Sequence, residues 1–111
     1  MSDILILKEN KDFQRLYRRG KSEVSPILVT YLMKNNSNNL RYGITTGKKV
    51  GNAVRRSRAR RIIRAAFREV APSLKKGYDI VFVARGKTPY VKSSDIKKAM
   101  TAQFKKASMF G

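Results

Sequence analysis

KKVGNAVRRSRARRIIRAAFRE, residues 48–69, is the most strongly patterned stretch of this chain. It carries nine basic residues and meets no acid until Glu69. At about 100° per residue from a start near Asn52, it divides into two faces. Ala59, Ile62, Ile63, Ala66, Phe67 and Val70 fall within a sector of about 140°, wide enough to pack on a core. Arg56, Arg60, Arg64 and Arg68 form an i, i+4 ladder on the other side, with Ser57 and Arg61 beside it. The spacing predicts a helix that packs by one face and presents guanidinium groups by the other.

The charge on that helix runs against local preference. Arg55, Arg56 and Arg58 occupy the first turns, where the helix dipole favours acids, and Glu69 lies near the end that favours bases. Each like-charged i, i+4 pair costs about 0.2–0.5 kcal/mol. A basic run on a helix is ordinarily just a solvated face. This one is pure in sign, confined to one side and preceded by Lys48 and Lys49. Its missing counter-charge is most simply an external polyanion.

Composition points the same way. The chain has 111 residues, enough for one domain spanning 1–111 with a modest core. Its 26 basic and 7 acidic residues give a net charge of +19, which implies a nucleic acid or an anionic surface as partner. With no cysteine and no histidine, thiolate chemistry, imidazole catalysis and the usual zinc sites are excluded. The acids are scattered, so a nuclease with its own metal-binding carboxylates has no support. The apolar run Ile4–Leu7 has no basic lead and is followed by Lys8, unlike a signal peptide or a membrane span. The expectation is a cytoplasmic protein with no membrane association.

Outward from the basic helix, the remaining elements follow. Residues 1–9 read as a lead-in strand or arm. Asn10 can cap a helix over Lys11–Arg19, closed by Gly20, with Phe13, Leu16 and Tyr17 sharing one face. For such a face, core packing is the ordinary role. Lys21–Val24 and Ile27–Met33 read as strands broken at Ser25-Pro26, and Leu40–Thr46 as a third after the polar turn NNSNN. These three suggest an antiparallel meander. Pro72 ends the basic helix near Val70. Tyr78–Ala84, YDIVFVA, suits a buried central strand. Ser93 or Ser94 caps a last helix, with Ile96, Met100 and Phe104 inward and Lys97, Lys98, Lys105 and Lys106 outward. The order α-β-β-β-α-β-α gives a single α+β domain.

Gly43 to Lys49, GITTGKK, departs from a phosphate-binding Walker loop in both glycine spacing and the residue after the lysine. KH-type and RNP1 patterns are absent. A uniformly arginine face suits phosphate and RNA shape rather than base edges.

Lys48-Lys49-Val50-Gly51-Asn52-Ala53-Val54, then Arg56-Ser57-Arg58, Arg60-Arg61 and Arg64, resemble the signature of the bacterial ribonuclease P protein component. The helix with Asp12, Phe13, Gln14 and Tyr17, the strand with Leu40, Arg41 and Gly43, and the YDIVFVAR strand are similar to that family too. Two positions depart from its pattern: Ser57 replaces an asparagine, and Arg60 a lysine. Serine lacks the paired donor and acceptor of an amide, whereas Arg60 keeps its charge.

The resemblance implies a ribosomal protein S5 domain 2-like α/β sandwich with a left-handed β-α-β crossover. It also implies a subunit that binds a catalytic RNA and the 5′ leader of precursor tRNA. The leader is removed by hydrolysis, leaving a 5′-phosphate, with magnesium ions held mainly by the RNA and substrate and none by the protein alone. Carried over by position, Lys48, Lys49, Asn52, Arg56, Ser57, Arg58, Arg60, Arg61, Arg64 and Arg68 would contact RNA. Phe13, Tyr17 and Tyr31 would line the leader cleft, with no catalytic residue and no protein partner required. A ribosomal-type structural protein or a general RNA chaperone would explain the charge equally well. It would not explain the signature together with aromatics suited to single-stranded RNA.

Overall fold

The computed structural model describes residues 4–111, and Met1 to Asp3 of the expected lead-in lie outside the described residues. Five strands form one sheet in the order β1-β4-β5-β3-β2: β1 Ile4–Ile6, β2 Lys21–Ser25, β3 Leu28–Lys34, β4 Leu40–Thr45 and β5 Tyr78–Ala84. Three helices complete it: α1 Asn10–Arg19, α2 Ala53–Val70 and α3 Ser93–Lys106.

β5 is the central strand expected from its apolar run. It pairs antiparallel with β3 and parallel with β4. The expected meander is therefore corrected. β2 and β3 do form an antiparallel hairpin, but β4 lies beyond β5, parallel to both β5 and β1. The reason is burial. YDIVFVA is apolar on both faces, so it is most stable between two strands, and it enters between β3 and β4. α2 is thus the crossover of a β4-α2-β5 unit.

The pleat sorts the side chains. Leu28 and Leu32 of β3, Leu40 of β4, and Ile80 and Phe82 of β5 join one core with Ile63, Ala66 and Phe67 of α2 and Ile96, Met100 and Phe104 of α3. The opposite face carries a smaller cluster around Leu7, Leu16 and Val81 under α1. The apolar face of α2 is as the periodicity predicts: Ala59, Ile63, Ala66, Phe67 and Val70 are buried, with Ile62 at the boundary.

Two caps differ from expectation. Glu9, not Asn10, holds the N-cap position of α1, and no side chain caps it. Lys92, not Ser93 or Ser94, precedes α3, and its amide donates to Asp95 at 3.0 Å. At the end of α1, Gly20 has an extended backbone rather than a left-handed one. A Cβ there would lie 2.6 Å from the Leu16 carbonyl, so close approach sets the glycine. Buried Gln103, on the inner face of α3, donates to the carbonyls of Leu28 and Glu23 and accepts from Thr30 at 2.6 Å. It thereby fastens α3 to the hairpin.

Candidate RNA interface

The chain enters α2 through a fixed turn. Lys48–Val50 forms one turn of 3₁₀ helix, anchored by buried Val50, with both lysines exposed. Gly51 follows at φ 131°, a conformation that strongly favours glycine. Asn52 then caps the helix, its Oδ1 accepting from the Arg55 amide at 3.0 Å. That fixed entry holds Lys48 and Lys49 at the positive end of the helix dipole. Asn52 therefore has a structural role besides its exposure to solvent.

Arg58, Arg60, Arg61 and Arg68 are exposed, and Arg56 and Arg64 are half-buried. Among the described residues, none of these six makes an ion pair; the acid on the helix, Glu69, is taken by Lys97 of α3 at 3.0 Å. Ser57 is exposed beside them. The helix thus presents a dense positive surface that the protein does not neutralise.

The arginines do not act as one ladder. Arg58 and Arg61 line a groove toward α3 with Ile62, Ala65 and Ser93. Arg60 and Arg64 line another at the β1–β4 edge. Arg55 is different again, with its guanidinium 5.6 Å from the Tyr90 ring centroid. No periodicity in the chain signals this stack, because Tyr90 lies in a short 3₁₀ turn, Thr88–Tyr90, after β5.

Across the sheet, α1 builds a second surface. Leu16 is its buried anchor, while Phe13, Tyr17 and Tyr31 are half-buried. The rings of Tyr17 and Tyr31 meet edge to face at 5.2 Å, and the Tyr17 hydroxyl bonds Thr45 Oγ1 at 2.6 Å. Phe13 covers Gly43, where a Cβ would lie 2.5 Å from its ring. Beyond α1 the same face continues through half-buried Val29, Met33 and Val83 to exposed Val24. The three aromatics are neither fully core nor free. Each is held on one side and open on the other.

Sequence reasoning missed the charged group beside this strip. Asp12 and Asp79 are buried on either side of Arg41. Arg41 donates to both Asp79 oxygens, at 2.7 and 2.6 Å, and lies 4.0 Å from Asp12, which also bonds Arg15. The Asp79 carboxylate raises the Arg41 pKa above its usual value, against the opposing effect of burial. An aspartate inside the apolar YDIVFVA run was the available signal, since a buried charge needs a partner. Among the described residues, no three acidic, histidine or cysteine side chains gather as a metal site would require. The two buried aspartates near each other are already engaged by arginines.

Comparison with known proteins completes the assignment. The family model for Ribonuclease P matches residues 1–108. The ribonuclease P protein component of Clostridium novyi (strain NT) is 42% identical over 106 residues, covering 94% of each chain. That of Clostridioides difficile (strain 630) is 43% identical over 95 residues, covering 85% of this chain and 83% of its own. The RNase P protein of Staphylococcus aureus superimposes with a TM-score of 0.83 at 32% identity, covering 96% of this chain and 97% of that one. The Thermotoga maritima protein gives 0.79 at 29% identity, covering 90% and 94%. On a match along nearly its whole length, in sequence and in fold, the chain belongs to the bacterial ribonuclease P protein component family.

Proposed function

We propose that this protein binds the catalytic RNA of ribonuclease P through α2 and the single-stranded leader of precursor tRNA through the aromatic strip under α1. Membership of the family makes it the protein subunit of an endoribonuclease. The observation that carries the finer reading is the pairing of two unlike surfaces on opposite faces of one sheet. One is a helix of unneutralised arginines, suited to the phosphates of a folded RNA. The other is a half-open row of Phe13, Tyr17 and Tyr31, suited to stacking unpaired bases with little regard to sequence.

Neither surface supplies an acid, a base or a nucleophile placed to cut RNA. In this reading the RNA carries the chemistry; magnesium ions held by RNA and substrate would supply an activated water, and hydrolysis would leave a 5′-phosphate on the mature tRNA. The protein holds the substrate's leader against the catalytic RNA and screens the repulsion between the two polyanions. No helix of the described residues is long and apolar enough to cross a membrane, and we place the protein's work in the cytoplasm.

Reconstitution with a bacterial ribonuclease P RNA at low magnesium tests this. Added protein is expected to restore cleavage of precursor tRNA, while rigorously RNA-free protein cleaves nothing. Specific cleavage by the protein alone, or no gain on its addition, would overturn the reading.

A further inference from the structure

The groove at the β1–β4 edge joins residues of both proposed surfaces to exposed or half-buried apolar side chains that neither surface uses. It holds about 160 Å³, and its walls include Ile6, Tyr42 and Ile44 together with Arg60 and Arg64. Ile6 is 60% exposed although it is a large apolar side chain on an edge strand. Tyr42 packs against Phe67 with ring centroids 4.6 Å apart and the rings tilted by 42°. Its hydroxyl makes no hydrogen bond among the described residues. Arg60 and Arg64, which line it, have no carboxylate partner among the described residues either.

A groove walled by Ile6, Ile44 and Tyr42, with two guanidinium groups that have no carboxylate partner, matches one ligand chemistry. A nucleotide offers a flat, weakly polar base with hydrogen-bonding edges, joined to an anionic phosphate. A plain phosphate contact would need the arginines but not the slot. An apolar protein side chain would need the slot but leave the arginines unpaired. Phe13 also lines this groove, so it lies where the aromatic strip reaches round the sheet edge toward α2.

We infer that the groove seats one unpaired nucleotide of a bound RNA. Its base enters between Ile6, Ile44 and Tyr42, and its phosphate meets Arg60 and Arg64. The source is the catalytic RNA or the tRNA leader, and to that extent the inference rests on the proposed function.

Two measurements test it. In the free protein, methyl resonances of Ile6 and Ile44 are followed by NMR during titration with 5′-AMP and, separately, with ribose 5-phosphate. AMP is expected to shift both residues saturably, and ribose 5-phosphate to shift them little. Equal shifts with both ligands, or shifts with neither, overturn the inference. This arm needs no ribonuclease P RNA, so seating of AMP alongside failed reconstitution would sink the proposed function and leave the groove standing.

The second arm uses Ile6→Ser, which exchanges one neutral side chain for another at an exposed position. Affinity is measured for catalytic RNA alone, and for the assembled particle with leader-bearing and leaderless tRNA. A loss of about tenfold with an unchanged salt slope marks a base contact rather than a phosphate contact. Loss against the catalytic RNA names that RNA as the source. Loss only with the leader-bearing tRNA names the leader. Full affinity in every case rejects the nucleotide seat.

Discussion

Arg41 and Asp79 face each other across β4 and β5 and are joined by two hydrogen bonds, at 2.7 and 2.6 Å. The same guanidinium lies 4.0 Å from Asp12 of α1. Arg41 therefore neutralises Asp79 and stays within ion-pair range of Asp12, whose nearer partner is Arg15, and so links α1, which carries Phe13 and Tyr17, to the sheet. Asn35 adds a bond to Asp79 at 2.9 Å, so the carboxylate is well satisfied. Arg41→Ala should cost about 2–4 kcal/mol, because it leaves a buried charge uncompensated rather than merely deleting an interaction. In the double variant Arg41→Ala/Asp79→Asn much of that loss should return. Urea unfolding of the three proteins measures it, and equal stability of the single and double variants would contradict the ion-pair account.

What could be read from the chain and what could not follows from the range of the signals. The amphipathic period of α2, the core face of α3 and the central position of β5 are all local patterns, and each matches the structure. Strand order is not local. Nothing within Leu40–Thr45 says that its neighbour is Tyr78–Ala84 instead of Leu28–Lys34. That outcome depends on which strand is apolar on both faces. The basic residues were legible as a set, since sign and spacing suffice. Their division between a groove facing α3 and one facing β1 was not, because it depends on where the crossover lands. The stacking of Arg55 on Tyr90 joins residues far apart in sequence and left no periodic trace.

Arg60→Ala and Arg64→Ala should weaken binding to the catalytic RNA and flatten its dependence on salt. Each phosphate interaction removed lowers the slope of log K against log salt by about 0.7–0.9. Both side chains reach solvent and have no ion-pair partner among the described residues, so the folded protein should tolerate their replacement. Filter binding across a salt series reads the slope. If it does not change, these arginines do not meet phosphate.

Phe13→Ala and Tyr17→Ala should reduce affinity for precursor tRNA more than for mature tRNA, which has no leader. The expected difference is about 1–3 kcal/mol for each stacked base. Both rings also brace the sheet: Phe13 covers Gly43, and Tyr17 holds Tyr31 and Thr45. Tyr17→Phe separates the two roles, since it keeps the ring and removes only the bond to Thr45. Equal loss with both tRNAs, accompanied by a lower melting temperature, would mean that the rings act in folding and not on the leader.

The free protein should gain stability from sulfate, beyond what chloride gives. With 26 basic and 7 acidic residues, folding concentrates repulsion that an unfolded chain can spread out. Any salt relieves part of that by screening. A sulfate held at the start of α2 would do more. Asn52 satisfies the Arg55 amide, while the helix dipole, exposed Lys48 and half-buried Arg56 remain for an anion. Binding to the folded state alone stabilises by RT ln(1 + [L]/Kd), about 2.7 kcal/mol at a hundredfold excess over Kd. Sulfate also strengthens apolar burial without binding, so magnitude alone does not discriminate. Melting temperature should therefore be followed against sulfate and against chloride at matched ionic strength, in wild type and in Lys48→Ala/Arg56→Ala. Specific binding gives a response that saturates at millimolar sulfate and shrinks in the double variant. An undiminished response in that variant, or equal effects of the two salts, would assign the whole effect to screening and exclusion.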